Sequence, residues 1–282
     1  MTAVHEISIR EALIAGSQRL EDSESPWLDA CLLLAQRLGW RREKLLASYP
    51  DFLDQAVYSD FMKLIDKRSQ GFPVAYITGN KEFYGRDFYV EPGILCPRPD
   101  TEILIEEALQ QIESHQYKRV HDLCTGSGCI ALTLALENRE LRVSASDISE
   151  TSEKVFNKNR KSLQAESVSF KLTSLFDGIE GPIDLIVTNP PYLTTKETTD
   201  RMDQRWKEPS LALDGGNDGL DLIRIIIEQA PSLLSVEGML MIEADPRQMD
   251  SMERLLEENR FTSIKRVCDL AGDERVILGN RS

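Results

Sequence analysis

Histidine is scarce in this chain. There are three in 282 residues, His5, His115 and His121, and none stands at ligand spacing from another metal-binding side chain. The five cysteines, Cys31, Cys96, Cys124, Cys129 and Cys268, are scattered, odd in number and never in a Cys-x-x-Cys pair. A disulfide framework and a zinc site are therefore not expected, and no Ser-His-Asp set presents itself. Long apolar runs are missing: none approaches the roughly 20 residues that cross a bilayer. The first residues, Met1-Thr2-Ala3-Val4-His5-Glu6, lack the basic and apolar regions of a secretory signal. A cytoplasmic protein away from membranes is the expectation. Positive charge is in deficit, with a net charge of −14. Proteins that grip a nucleic-acid backbone carry a basic face, so direct nucleic-acid binding is not expected; a basic protein partner fits better. Repeats and low-complexity segments are absent.

What remains is an ordinary globular composition, 41% hydrophobic and 28% charged, with length for two domains. Residues 1–72 read as a small helical domain. Ser8-Ile9-Arg10-Glu11 is a capping box, Ser25-Pro26 opens a second helix closed by Gly39, and Leu53 to Ile65 mark a third. Residues 73–98 are rich in aromatic and β-branched types around Gly85 and read as a β-hairpin linker. Residues 99–282 alternate. Strands are expected at Arg119–Leu123, Arg142–Ser146, Val168–Leu172, Ile183–Thr188, Met239–Ile242, Ile264–Val267 and Arg275–Leu278. Helices are expected between them, one a long apolar helix over Leu220–Leu234. That rhythm argues an α/β, doubly wound, mostly parallel sheet.

Two strand ends carry chemistry. Ile183–Thr188 is an apolar, β-branched run that leads into Asn189-Pro190-Pro191-Tyr192. The prolines fix the backbone and offer no N–H. The corner therefore presents two directed acceptors, the Asn189 side-chain oxygen and the Pro190 carbonyl, with the Tyr192 ring beside them. Two such acceptors suit an –NH2 group. Asp122-Leu123-Cys124-Thr125-Gly126-Ser127-Gly128 lies between a strand and a helix, where glycines admit close backbone approach and a helix N-terminus offers free N–H groups. Asp147 ends the next strand, where an acidic side chain meets ribose hydroxyls. A nucleoside-bearing cofactor facing an –NH2 clamp suggests methyl transfer from S-adenosyl-L-methionine to nitrogen. The sulfonium is a good leaving group, so the protein's task is alignment.

These motifs resemble the release-factor glutamine methyltransferase family. The likeness extends over Gly71–Gly79, Phe83-Tyr84-Gly85, Pro97-Arg98-Pro99-Asp100-Thr101-Glu102, Glu208-Pro209, Leu213-Asp214-Gly215-Gly216, Asp218-Gly219-Leu220 and Asp269-Leu270-Ala271-Gly272 with Arg275-Val276. It implies a seven-stranded, Rossmann-like methyltransferase domain after an all-helical N-terminal domain. It also implies methylation of the glutamine side-chain amide in the Gly-Gly-Gln loop of peptide-chain release factors. By that resemblance Asn189, Pro190, Pro191 and Tyr192 bind substrate, and Asn189 and Pro190 hold the reacting amide. Cys124, Thr125, Gly126, Ser127, Gly128, Asp147, Leu175 and Asn189 bind the cofactor, and no metal is implied.

Two departures bear on that site. The family has glycine where this chain has Cys124, and an acidic residue near the adenine where it reads Thr173-Ser174-Leu175-Phe176. Weakened cofactor binding is the expectation. The rival readings are an amino-group methyltransferase acting on a flipped nucleic-acid base and a catalytically inactive binding module; a nicotinamide dehydrogenase fits the glycine spacing less well. The identity of the modified release factors and the oligomeric state lie beyond the sequence.

Overall fold

Ile183–Thr188 forms the strand that its apolar run predicts, and every residue in it except Asp184 is buried. It belongs to a seven-stranded sheet in a computed structural model that describes residues 7–204 and 206–282. The start Met1–Glu6, with His5 and the reading of an absent secretory signal, lies outside the described residues. The strands of this sheet are β1 Arg119–Leu123, β2 Arg142–Asp147, β3 Ser169–Leu172, β4 Ile183–Thr188, β5 Leu234–Glu243, β6 Phe261–Cys268 and β7 Glu274–Arg281. Their order across the sheet is β6-β7-β5-β4-β1-β2-β3. Neighbours from β3 to β5 run parallel, while β7 is antiparallel to both β5 and β6.

This order turns back on itself between β1 and β4, and a ligand crevice opens at the carboxyl ends on such a switch point. Register fixes what meets there. Leu123 pairs with Thr188 on one side and Ser146 on the other. The residues that follow, Cys124, Asp147 and Asn189, therefore leave the sheet side by side. Asp184 anchors the opposite edge: its carboxylate accepts the N–H groups of Lys118 at 3.0 Å and Arg119 at 2.9 Å, and the Ser235 hydroxyl at 3.1 Å.

Helices cover both faces, and two clusters of buried side chains fill the layers between, one around Leu104, Leu132 and Phe156, the other around Ile186, Ile226 and Met252. The expected helix over 220–234 is shorter. It spans Asp221–Gln229, passes into a 3₁₀ turn at Ala230–Ser232, and Leu234 already belongs to β5. Pro231 is the cause, since proline removes a helix donor and its ring clashes with the preceding turn. A helix at Thr195–Asp203 was not expected. It is polar nearly all round, but Thr194 and Glu197 bond each other's backbone N–H groups at its start, a capping box legible in the sequence.

The contacts divide the chain into two units, the smaller running to Asn80 and including Gln204–Lys207. This division differs from the expected 1–72, 73–98 and 99–282. Val74–Thr78, read from sequence as part of the hairpin, is a helical turn capped by Gly79 at φ 71°. The Thr78 hydroxyl bonds back to the Val74 carbonyl at 3.0 Å. The hairpin itself is Asn80–Phe83 with Arg86–Tyr89, and Phe83 and Phe88 are buried in the core of the larger unit.

In the smaller unit the Ser8 capping box holds the helix Ile9–Gln18, Pro26 opens Pro26–Leu38, and Gln55–Ser69 packs with them. Its own core contains Leu13, Leu34, Phe61 and Ile65. Gly16 lets two helices meet, because a Cβ there would stand 2.7 Å from the Phe61 ring. Among the described residues no helix is long and apolar enough to cross a membrane.

Candidate active site

The glycine loop begins where β1 ends. Cys124 takes φ 60°, and Gly126 and Gly128 follow at 55° and 84°. Cys124 thus takes the left-handed conformation that favours glycine, at a cost of roughly 1–2 kcal/mol for a side chain with Cβ. Gly128 is needed for space as well, since a Cβ there would meet the Phe156 ring at 2.6 Å. The loop is tied down from below. Asp122 is fully buried, and one of its oxygens accepts the Thr125 hydroxyl and, at 3.0 Å, the Ala131 N–H. Burial pushes its carboxyl up to about 7, against the pull of those two donors. Burial also raises the Cys124 thiol to about 12, helped by Asp147 and Asp122, so the thiol stays protonated and is a poor nucleophile.

Asp147 closes the loop from β2. One oxygen accepts the Gly126 N–H at 2.9 Å and the other the Ser149 N–H at 2.9 Å. The carboxylate is thus aimed before anything binds, with lone pairs left for hydroxyl donors.

The polar corner after β4 is built by residues far away in sequence. The Asn189 amide donates from Nδ2 to the Thr101 hydroxyl at 3.2 Å, while Oδ1 is buried and has no partner within the protein. Pro190 and Pro191 are buried behind it. Tyr192 packs against the β4–β5 side of the core, and burial first, then Glu243, raises its phenol to about 12. The glycine-rich stretch that carried part of the resemblance clamps this corner. Leu193 donates to the Leu213 carbonyl at 2.9 Å and accepts from the Gly215 N–H at 2.7 Å. Gln248 donates to the Tyr192 carbonyl at 2.9 Å. A Cβ on Gly215 would lie 2.7 Å from the Pro191 carbonyl oxygen, and one on Gly219 would lie 2.2 Å from that of Tyr192. Glu208, buried, accepts the Cys96 N–H at 2.8 Å and pairs with Arg98. That contact accounts for two further motif segments.

A cavity of about 160 Å³ lies between the two strand ends. Cys124, Gly126, Asp147, Leu175, Asn189 and Pro191 line it together. Thr125, Ser127, Gly128, Pro190 and Tyr192 do not. Thr125 and Gly128 shape the loop, the Ser127 carbonyl accepts from the Asn159 amide at 2.9 Å, and Pro190 and Tyr192 form the backing of the corner. Sequence reasoning missed Ile148, Leu211 and the Gly93–Leu95 turn, which supply apolar walls. Ile148 had a signal in the sequence: an apolar residue stands directly after the acidic strand end, and the structure leaves it 57% exposed.

Leu175 holds φ 44° against the same cavity, beside Ser174. Two left-handed non-glycine residues thus face one cleft, a concentration of strain typical of binding sites. An acidic strand end with both oxygens directed, an apolar slot beside it and an unpartnered amide oxygen across from it fit a nucleoside with a polar group to be held at the far side.

The chain resembles known proteins along nearly its whole length. Residues 11–79 match the PrmC N-terminal domain and residues 98–211 the Methyltransferase small domain. The release factor glutamine methyltransferase of Borreliella burgdorferi is 39% identical, covering 90% of this chain and 89% of that one. That of Clostridium acetobutylicum is 35% identical, covering 98% and 99%. Among solved structures, a methyltransferase from Pyrococcus furiosus aligns with a TM-score of 0.53 at 16% identity, over 79% of this chain and 99% of that one, a likeness of fold.

Proposed function

We propose that this chain, which belongs to the release factor glutamine methyltransferase family, methylates the side-chain amide nitrogen of the glutamine in the Gly-Gly-Gln loop of peptide-chain release factors. The cofactor is S-adenosyl-L-methionine, which supplies an electrophilic methyl group when bound. Asp147 would take its ribose hydroxyls, the loop Cys124–Gly128 its amino-acid end, and Ile148 and Leu175 its flat base. The orphaned Asn189 oxygen is the observation that carries the reading. A buried acceptor with no partner costs about 1–3 kcal/mol, and a substrate –NH2 donating to it would recover that loss.

The residues of the corner then do one job. Asn189 Oδ1 and the Pro190 carbonyl accept the two N–H bonds of the glutamine amide. That leaves the face of the nitrogen toward the cavity, and Tyr192 stiffens the corner from behind. Holding a nucleophile in line replaces a chance encounter by a fixed geometry, worth up to roughly 7–11 kcal/mol in favourable intramolecular cases. Once methylated, the nitrogen is strongly acidic and gives up one proton to solvent water.

Incubation with methyl-labelled cofactor and purified release factors tests the reading. Label on the glutamine of Gly-Gly-Gln is expected. Label confined to nucleic acid would replace this reading by base methylation, and no cofactor binding at millimolar concentration would replace it by a binding module.

A further inference from the structure

Two buried polar side chains beside the corner have no part in the reaction so far described. Thr101 ends the 3₁₀ turn Pro99–Thr101, and Glu243 ends β5; each is 2% exposed. Ile242 pairs with Thr188 in the sheet, which brings Glu243 next to Asn189. Asn189 Nδ2 donates to the Thr101 hydroxyl at 3.2 Å, and the Glu243 carboxyl lies near enough to both side chains for their polar hydrogens to favour its charged form. Its Oε2 lacks a regular hydrogen-bond partner, as does Asn189 Oδ1.

A carboxamide can lie either way round, with oxygen and nitrogen exchanged, and only its neighbours decide which. Threonine alone does not decide, because a hydroxyl both donates and accepts. A carboxylate does. By accepting the Thr101 proton, Glu243 leaves Thr101 Oγ1 as an acceptor toward Asn189. By facing the amide itself it claims the second Asn189 N–H. Both hydrogens of Nδ2 are then spent inside the protein, and Oδ1 is the atom left without a protein partner.

We propose that Thr101 and Glu243 are positioning residues that fix the polarity of the Asn189 carboxamide, so that its oxygen, and not its nitrogen, meets the substrate amide. This rests on the function proposed above. Loss of either residue lets the carboxamide turn over. In the reversed state Asn189 presents a donor to the glutamine –NH2, and the clamp is lost for that fraction of molecules.

The experiment measures kcat, KM for the release factor and Kd for S-adenosyl-L-methionine in the full chain and in Thr101→Val, Thr101→Ser and Glu243→Gln. Thr101→Val and Glu243→Gln are expected to lower kcat about 10- to 100-fold, the scale of a misplaced reacting group, with cofactor Kd within about twofold. Thr101→Ser is expected to keep most of the activity. A merely structural role would weaken cofactor binding and lower the thermal midpoint together with kcat, and that pattern overturns the inference. So does an unchanged kcat in Glu243→Gln, which keeps size and neutral packing and answers even if Thr101→Val does not fold. Absence of label on the release factor with the unaltered chain would instead overturn the function on which the inference rests.

Discussion

At the residue scale, the site depends on one unpaired oxygen. Asn189→Ala removes that acceptor without touching Asp147 or the glycine loop. Turnover is expected to fall to background, with cofactor affinity changed less than about tenfold; parallel kinetics and calorimetry read the two. Glu243 supplies a second test. Burial raises its carboxyl to about 7 from 4.5, with Asp100 adding to the rise, while Thr101, Arg275 and Asn189 oppose it. The folded state therefore keeps a proton that the unfolded chain has released between these two values. The resulting stability is full below about pH 4.5 and is lost as pH rises toward 7. Glu243→Gln cannot titrate. Relative to the parent it is expected to gain stability between pH 5 and 7.5, by up to about 3 kcal/mol, measured by urea unfolding at each pH. A constant difference would contradict the assignment. Asn189 and Asp147 were legible in the sequence because each stands at the end of its own strand. Thr101 and Glu243 were not, since their partnership spans 88 residues between Thr101 and Asn189 and only the sheet register reveals it.

At the element scale, glycines decide how closely two loops pass. Gly219 has φ 77° and no room for a Cβ beside the Tyr192 carbonyl. Gly272 has φ 90° with open space around it. Gly272→Ala is expected to cost about 1–2 kcal/mol of stability and leave kcat intact. Gly219→Ala is expected to carry the same conformational cost and in addition to displace the Tyr192 corner, lowering kcat at least about tenfold. Equal kcat in the two variants would show that the clamp tolerates the shift. The strands β1 to β4 were legible to within a residue at each end, as Ile183–Thr188 shows with an apolar run typical of a buried parallel strand, whereas β5, β6 and β7 run several residues beyond the Met239–Ile242, Ile264–Val267 and Arg275–Leu278 expected. The polar helix Thr195–Asp203 was announced in the sequence by its capping box alone, because periodicity fails where the one buried residue, Thr198, is polar. The helix after Asp221 was overextended because an apolar run looks the same whether Pro231 ends a helix or sits within one.

At the scale of the whole molecule, two cores exist. The cluster around Phe61 belongs to the smaller unit, and the two layers on the sheet belong to the larger. Separate cores favour separate unfolding. Scanning calorimetry is expected to show two transitions, and saturating S-adenosyl-L-methionine is expected to raise only the one that reports the sheet. At 100 times Kd the stabilisation is about 2.7 kcal/mol. One merged transition, moved as a whole by the cofactor, would mean the units melt together. The general architecture was readable from the alternation of strands and helices. The point of division near Asn80 was not, because Val74–Thr78 has β-branched composition and is held helical by Pro73 and Gly79.

The pairing of Leu123 with Thr188 ties the two sides of the reaction to one rung between neighbouring strands. The gap between donor and acceptor is then set by a rigid ruler, not by a loop that can stretch. A side chain one carbon shorter would have to close the shortfall by moving its own backbone into the cleft. An asparagine in place of the glutamine should therefore dock without being modified, and mass spectrometry of a Gly-Gly-Asn release factor after exhaustive incubation would read this as an unchanged mass.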